Sequence, residues 1–265
     1  MKIAIIGAGN MGSAVGWGLL RSGKVEAHDL CISNPSTGKL QPFADAGVRI
    51  TTDNCEAARG ADLVMLFVKP WIVRQVVEEL KSGLDYDRQM LLIGAAGISS
   101  HDLDEWLSVA WQELPACFLC IPNIAMAEGE GMTFLSAFRA SDEQVGAVKS
   151  LFETAGQVMM VSESLLSAGT ALASCGLAYA MRYVRAATEG GVQLGFRPEE
   201  AQRIVQQTVL GAVRLLQQSG GHPEAMIDKV TTAGGLTIRG LNEMEHAGFT
   251  NSVIRGLVAP YGAKN

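Results

Sequence analysis

The sequence predicts an α/β protein in which a doubly wound parallel sheet is followed by an all-α domain. Short apolar runs of strand length alternate with helical patterns over residues 1–160, as in a parallel sheet covered by helices on both faces. From residue 161 to residue 265 only long helical patterns follow. We therefore predict two domains, at 1–160 and 161–265.

Composition excludes several classes of protein. The chain has 265 residues, of which 48% are hydrophobic, so it can bury a substantial core. Its net charge of -6 argues against a nucleic-acid-binding protein, which needs a basic face. No uninterrupted apolar run reaches the roughly 18 residues that span a bilayer, and no leader pattern is visible. We expect a cytoplasmic protein that binds neither nucleic acid nor a membrane.

The cysteines and histidines do not form a recognisable metal or redox pattern. Five cysteines are an odd number, without disulfide-like spacing. Cys117 and Cys120 fit C-x-x-C, but they lie in an apolar, strand-like run rather than at a helix start, which predicts buried core thiols. The four histidines are scattered, so no metal site is expected.

The first strand, residues 3–6, runs directly into a glycine pattern that opens a helix. Gly7, Gly9 and Gly12 fit G-x-G-x-x-G, the turn that begins a Rossmann-type sheet. Such a turn places free N–H groups at a helix N-terminus, where a diphosphate binds. The predicted dinucleotide contacts here are Gly7, Gly9, Asn10, Met11 and Gly12.

The end of the second strand indicates which dinucleotide is bound. An NAD site places a carboxylate there, but Asp29 comes too early, at the start of the strand. The strand end instead offers hydroxyls, an amide and a cation, which suit a 2′-phosphate that a carboxylate would repel. These residues are Ser33, Asn34, Ser36, Thr37 and Lys39. NADPH is therefore favoured, with NADH as the alternative.

The remaining elements of the first domain alternate as a doubly wound sheet requires. We predict helices at 38–46, 55–59, 72–80 and 142–154, and strands at 48–50, 63–68, 90–93, 116–121 and 132–136. Three loops follow strands and should converge on the nicotinamide, because ligands bind at the carboxyl ends of parallel strands. They contribute Val68, Lys69 and Pro70, then Ala95 and Ala96, then Asn123.

The second domain supplies a partner surface and a candidate substrate loop. Residues 167–194 and 198–219 read as helices, and the first is apolar around much of its circumference. Pairing with a second copy would bury that surface, which predicts a homodimer. Before a predicted helix at 238–245, the N–H groups of Gly235, Leu236 and Thr237 suit a carboxylate. The Thr237 hydroxyl would contact the atom that is reduced; on this stretch alone, a plain N-cap is the alternative.

Taken together, these segments resemble the pyrroline-5-carboxylate reductase family over essentially the whole chain. The matching pieces are IGAGNMGSA, ADLVMLFVKP, the AAGI turn, PNIAMAEGEGMTFL, GLAYAMRYVRAATEGGVQLGFRPEEAQRIVQQTVLGA and VTTAGGLTIRGL. The resemblance implies a Rossmann domain, a helical dimerisation domain that sometimes assembles further, and NAD(P)H-dependent reduction of a cyclic imine carboxylate to L-proline.

The resemblance also implies roles for individual residues. Asn54, Val68, Lys69 and Ala96 become coenzyme contacts, with Ser33 and Asn34 near the adenosine phosphate. Thr237 becomes the hydroxyl beside the imine nitrogen, while Gly234, Gly235 and Leu236 help to hold the substrate carboxylate.

Departures from the family pattern keep two alternatives open. Leu119 replaces an arginine of R-x-M-P-N-T-P, and prolines are missing from the pocket loops. The alternatives are a reductase of a related cyclic imine and a catalytically weak, dinucleotide-binding regulatory paralogue. A β-hydroxyacid dehydrogenase is disfavoured, because that chemistry relies on an interdomain lysine and none occurs between Lys149 and Lys229.

Overall fold

The computed structural model describes residues 1–109 and 113–261. Contacts divide the chain into two compact units, the first ending at Ser174 and the second beginning at Cys175. The first unit continues past residue 160 because Leu166 and Gly169 are buried in it, with Gly169 against the ring of Phe134. The domain boundary at residue 160 stays a prediction. The last four residues of the predicted helical domain lie outside the described part.

Within the described part of the first unit, eight strands form one sheet in the order β3-β2-β1-β4-β5-β6-β7-β8. The strands from β1 to β6 are parallel to one another, β7 is antiparallel to β6, and β8 is parallel to β7. The strands are β1 Ile3–Ile6, β2 Leu30–Ser33, β3 Arg49–Thr51, β4 Leu63–Leu66, β5 Met90–Ile93, β6 Cys117–Ile121, β7 Gly131–Phe138 and β8 Gly156–Met160. The predicted doubly wound sheet is confirmed.

Helices connect these strands. They are α1 Asn10–Arg21, α2 Gln41–Asp45, α3 Asn54–Ala58, α4 Pro70–Leu80, α5 Ser100–Leu107, α6 Asp142–Glu153 and α7 Leu166–Gly169. Short 3-10 turns lie at Ala27–Asp29, Thr37–Lys39, Ile124–Glu128 and Glu163–Leu165, and a π-helical segment at Thr170–Cys175. The sequence did not predict α5 or β8. A capping box begins α5: the Ser99 hydroxyl oxygen accepts from Asp102 N–H, and the Asp102 carboxylate accepts from Ser99 N–H.

Both faces of the central strands β1, β2, β4, β5 and β6 are buried, as the continuous apolar runs predicted. Ile3 and Ile5 pack on one face and Ala4 and Ile6 on the other. Large side chains fill the first face, among them Phe43, Phe118 and Phe152. Burial of each such side chain stabilises the fold by about 1.5–3 kcal/mol.

Among the described residues of the second unit, the regular elements are all helices. Its helices are α8 Gly176–Gln193, α9 Pro198–Ser219, α10 Pro223–Lys229, α11 Leu236–His246 and α12 Phe249–Val258. Gly191 on α8 faces Ala201 on α9, and a Cβ at Gly191 would lie 2.9 Å from the Ala201 Cβ. Many apolar side chains of this unit are exposed, including Tyr179, Met181, Tyr183 and Val192 on α8, Ile204, Leu210, Val213 and Leu215 on α9, and Val253, Ile254 and Val258 on α12.

One helical stretch, Glu163–Gln193, is long and apolar enough to cross a membrane by length and composition alone. It has 31 residues and a mean hydropathy of 1.3 in its most apolar window. The core helix of a soluble protein can have the same length and composition. On its own, the finding is weak support for membrane insertion.

The two cysteines of the C-x-x-C sequence are core thiols, as predicted. Cys117 and Cys120 on β6 are both 0% exposed. Burial raises the pKa of Cys117 to about 11 and raises the pKa of Cys120 well above its ordinary value of 9.0. Burial therefore keeps both thiols protonated near neutral pH, which disfavours thiolate chemistry at either position.

Stability is expected to fall as the pH rises from 9 to 11. Over this range the unfolded chain loses the Cys117 proton while the folded chain keeps it, so ionisation favours unfolding. Urea unfolding measured at pH 8, 9, 10 and 11 should show the decline, and Cys117→Ala should show a shallower one. An equally steep pH dependence in the variant would contradict the assignment.

Candidate coenzyme and substrate sites

The glycine-rich turn joins β1 to α1 at the carboxyl edge of the sheet. Gly7 has a φ of 102°, and a Cβ there would lie 2.6 Å from the Phe67 carbonyl oxygen. A Cβ at Gly12 would lie 1.9 Å from the carbonyl oxygen of Gly7. These two glycines therefore allow the helix and the neighbouring loop to approach the turn closely.

Gly9 has a different environment. It is the N-cap of α1, makes no side-chain cap bond, and has no atom within 4 Å of its Cβ position. The first turn of α1 contains no acidic residue, and the amides of Asn10 and Met11 have no acceptor within the helix. The open side of Gly9 and these amides fit a diphosphate, which the helix dipole also favours.

Hydrogen bonds continue past the strand ends and hold the predicted loops along one edge. Gly7 N–H donates to the Ser33 carbonyl at 2.8 Å, Phe67 N–H donates to Ile6 at 2.8 Å, and Gly94 N–H donates to Leu66 at 2.8 Å. The loops after β1, β2, β4 and β5 therefore lie side by side. A crevice at this edge is where doubly wound sheets bind their ligands.

The loop after β2 is attached to the glycine turn through Asn34. The Oδ1 of Asn34 accepts a bond from Ala8 N–H at 3.1 Å, and its Nδ2 donates to the carbonyl and the hydroxyl oxygen of Ser36, both at 3.0 Å. The side chain of Asn34 thus shapes the loop. Because the Ser36 hydroxyl accepts from Asn34, its own proton is left to donate elsewhere, for example to a phosphate.

Two further polar residues of this region lie where the pattern placed them. Lys39 is exposed at the end of the 3-10 turn that follows the loop. Asp29 lies in the 3-10 turn before β2, so the whole length of β2 separates it from the carboxyl edge. The expectation that Asp29 comes too early to hold a ribose is consistent with this position.

The loops after β4 and β5 present small or flexible groups at the same edge. Lys69 is the exposed N-cap of α4, Pro70 is its first residue, and the Lys69 Nζ lies 5.9 Å from the centre of the Trp71 ring. Ala95 is buried and Ala96 is half-buried. A Cβ on the preceding Gly94 would lie 2.0 Å from the Phe67 ring, so this loop runs close to its neighbour.

The structure gives Asn123 a supporting position. Its side chain is 5% exposed; Oδ1 accepts from the N–H groups of Ala125 and Met132, and Nδ2 donates to the Ala173 carbonyl at 3.3 Å. These bonds tie the end of β6 to the start of β7 and to the π-helical segment. Its predicted contact with the coenzyme stays a prediction.

Leu119, which replaces the arginine of the family pattern, is 2% exposed on β6 and belongs to the apolar core. The charge that the pattern would place at this position is absent, and an apolar side chain fills the space.

The predicted substrate loop has a tighter geometry than the sequence suggested. Gly235 is the N-cap of α11, so Thr237 is the second residue of the helix and not its cap. The N–H of Gly235 donates to the Thr232 carbonyl at 2.9 Å and is not free, which corrects the prediction for that group. The amides of Leu236 and Thr237 are the first two of α11 and have no acceptor within the helix.

A left-handed backbone at Gly234, with a φ of 69°, makes the turn before α11 possible. A Cβ at Gly235 would lie 2.4 Å from the Thr232 hydroxyl oxygen. Leu236 and Thr237 are both exposed, so the amides and the hydroxyl can be reached from solvent.

Among the described residues, one group offers the ligand atoms of a metal site. Ligand atoms of Asp53, Cys55 and Glu79 lie within 4.8 Å of one another. Asp53 already caps α3 by accepting from Glu56 N–H at 2.9 Å, and Glu79 accepts from Asn54. The absence of a metal site stays an expectation.

The parallel sheet, the open glycine turn and the adjacent loops define a dinucleotide-binding protein of the Rossmann type. Comparison with known proteins specifies the family. Residues 163–263 match the family model described as pyrroline-5-carboxylate reductase dimerisation, and residues 2–95 match the one described as NADP oxidoreductase, coenzyme F420-dependent.

Individual relatives agree. Pyrroline-5-carboxylate reductase 2 of Dictyostelium discoideum is 32% identical over 97% of this chain and 90% of its own length. Pyrroline-5-carboxylate reductase 1 of that organism is also 32% identical, and this chain spans 48% of its length. The crystal structure of Plasmodium falciparum pyrroline carboxylate reductase with NADP bound has the same fold, with a TM-score of 0.88 at 23% identity over 98% of this chain and 95% of that one. The chain belongs to the pyrroline-5-carboxylate reductase family.

Substitutions at two glycines of the turn should have different effects, one on coenzyme binding and the other on the stability of the fold. Gly9→Ser places an N-cap hydroxyl where the diphosphate fits, so we expect the Kd for NADPH to rise at least about tenfold with little loss of stability. Gly12→Ala forces α1 away from the Gly7 carbonyl, and the free energy of unfolding should fall by about 1–3 kcal/mol.

Titration of NADPH fluorescence and urea unfolding measure the two effects. Gly146→Ala is the matched control, because Gly146 lies in α6 with nothing within 4 Å of its Cβ position. That change should leave coenzyme binding unaltered and add about 0.4–1 kcal/mol of stability. Equal Kd values for wild type and Gly9→Ser would rule out diphosphate binding at this turn.

Proposed function

We propose that this protein reduces 1-pyrroline-5-carboxylate to L-proline with NADPH, the final step of proline biosynthesis. The observation that carries the proposal is the 32% sequence identity to two pyrroline-5-carboxylate reductases over 97% of the chain. The geometry of the carboxyl edge supports it, because the turn at Gly9 fits a diphosphate and the loop after β2 presents hydroxyls and a lysine.

The first unit holds the coenzyme. The glycine turn and the amides of Asn10 and Met11 bind the diphosphate. Ser36 and Lys39 contact the 2′-phosphate, on a loop that Asn34 holds in shape. Val68, Lys69, Pro70, Ala95 and Ala96 border the nicotinamide end, and Asn123 supports the loop next to them. When bound, NADPH supplies a hydride.

The second unit binds the substrate. The amides of Leu236 and Thr237 hold the substrate carboxylate at the N-terminus of α11, where the helix dipole contributes about 0.3–1 kcal/mol. The Thr237 hydroxyl hydrogen-bonds to the imine nitrogen and fixes which face of the ring is reduced. The carbon of the protonated C=N accepts the hydride, and the π electrons of the C=N bond end on nitrogen, which gives a secondary amine. Fixed orientation supplies most of the rate.

A homodimer formed by the second unit accounts for its apolar exposure. The match of residues 163–263 to a dimerisation family supports this assembly, as do the exposed apolar side chains of α8, α9 and α12. A dimer interface that covers those side chains would also bury apolar residues of the stretch Glu163–Gln193 without a membrane. We therefore propose a cytoplasmic enzyme that binds neither membranes nor nucleic acid.

A reductase of a related cyclic imine is the second candidate. The observation that favours it is Leu119, which is buried in the core where the family pattern has an arginine. If that guanidinium helps to select the ring in other members, this chain selects it differently.

The purified protein should oxidise NADPH in the presence of 1-pyrroline-5-carboxylate, as followed at 340 nm. A parallel assay with a six-membered piperideine carboxylate decides between the two candidates. Turnover of the larger ring alone favours the second candidate. NADPH binding without turnover of either ring would indicate a non-catalytic, dinucleotide-binding protein and refute both.

Removal of the Thr237 hydroxyl should slow the reaction without weakening coenzyme binding. We expect Thr237→Val to lower kcat/KM for the imine by about 10- to 100-fold, because a hydrogen bond to the reacting nitrogen is lost. Thr237→Ser keeps a hydroxyl and should retain most of the activity. An unchanged rate in Thr237→Val would exclude the role proposed for this side chain.

A further inference from the structure

Three side chains form a hydrogen-bonded chain at the edge of the coenzyme site. The Ser33 hydroxyl at the end of β2 donates to the Oδ1 of Asn54 at 2.8 Å. The Nδ2 of Asn54 donates to the Oε2 of Glu79 at 3.1 Å. Ser33 is 0% exposed, Asn54 is half-buried, and Glu79 lies near the end of α4.

The carboxylate determines the direction of both bonds. An ionised Glu79 can only accept, so the NH₂ group of Asn54 must face it and the amide oxygen must face Ser33. A hydroxyl such as that of Ser33 can donate or accept, and it would tolerate either orientation of the amide. Glu79 therefore fixes which atom Asn54 presents to its remaining neighbours.

Ser33 connects this chain to the glycine turn. Its carbonyl accepts from Gly7 N–H at 2.8 Å, and the next residue, Asn34, accepts from Ala8 N–H at 3.1 Å. If the Asn54 amide adopted the opposite orientation, its bond to Ser33 would change directly beside the turn that holds the diphosphate.

We infer that Glu79 is a positioning residue for the coenzyme: it orients the Asn54 amide, and so the polar edge against which the adenosine half of the coenzyme binds. This inference rests on the proposed function only through the identity of the coenzyme. Because Glu79 acts on the coenzyme only through Asn54, its loss should change coenzyme binding more than the chemical step.

The test compares three substitutions in the full-length protein. Glu79→Leu removes the acceptor, and we expect the Kd and the KM for NADPH to rise about three- to tenfold while kcat changes less than twofold. Glu79→Gln has both an acceptor oxygen and a donor NH₂ group, so it no longer forces one orientation of the Asn54 amide and should recover only part of the affinity. Glu78→Gln is the matched control, because Glu78 is the neighbouring carboxylate on the same helix and pairs with Arg74, whereas Glu79 accepts from Asn54.

Two further measurements separate positioning from other effects. In an Asn54→Ala background, Glu79→Leu should have no additional effect on the Kd. A thermal melt of each variant without coenzyme shows whether stability has changed, and we expect Glu79→Leu to melt within a few degrees of wild type.

Each remaining outcome decides against the inference. An NADPH Kd that is unchanged in Glu79→Leu overturns it. Additive effects of Glu79→Leu and Asn54→Ala show that Glu79 acts independently of the amide, and a Glu79→Gln variant with full wild-type affinity shows that an acceptor-only side chain is not needed at this position. The Kd for NADPH is measured without substrate, so it tests the role of Glu79 even if the protein reduces no imine. A lack of imine reduction would refute only the proposed function.

Discussion

The close approach of α1 to β1 is the constraint on which the rest of the first unit depends. A side-chain carbon at Gly12 would lie 1.9 Å from the Gly7 carbonyl oxygen, so the helix can lie this close to the end of the strand only if residue 12 lacks a Cβ. That contact fixes the N-terminus of α1 at the carboxyl edge of the sheet. The hydrogen bonds from Gly7 to Ser33 and from Phe67 to Ile6 then align the neighbouring loops with it. Coenzyme binding is thus a consequence of how tightly a helix packs on a strand.

Most of the fold followed from local patterns in the sequence. The strand Ile3–Ile6, the strand Met90–Ile93 and the helix Pro198–Ser219 have the bounds that apolar runs and a first-turn proline predicted. The strand β8 was missed because its side chains are largely half-buried or exposed, and the short run after α6 gives no alternation to detect. The π-helical segment Thr170–Cys175 was read as part of one long helix, since a change of helical pitch leaves no mark on an Ala- and Ser-rich sequence.

The sequence predicted which loops lie at the candidate site, but it did not predict the hydrogen bonds that their side chains make. Glycine spacing and strand ends identified which loops would meet, but the direction of a side chain depends on partners far along the chain. Asn34 holds its own loop, Asn123 holds three segments together, and Gly235 has its N–H occupied by Thr232. Nothing near Asn54 in the sequence indicates Glu79, which is 25 residues away and is brought to it by the packing of α3 on α4.

The bond from Ala8 to Asn34 has a consequence for attempts to redesign this protein. It joins the loop that carries the groups suited to a 2′-phosphate directly to the turn that fits the diphosphate. A substitution of Asn34 would therefore alter both the preference for NADPH over NADH and the overall affinity for the coenzyme. An engineer who wishes to convert the protein to NADH would do better to replace Lys39, whose exposed side chain takes no part in the bonds made by Asn34.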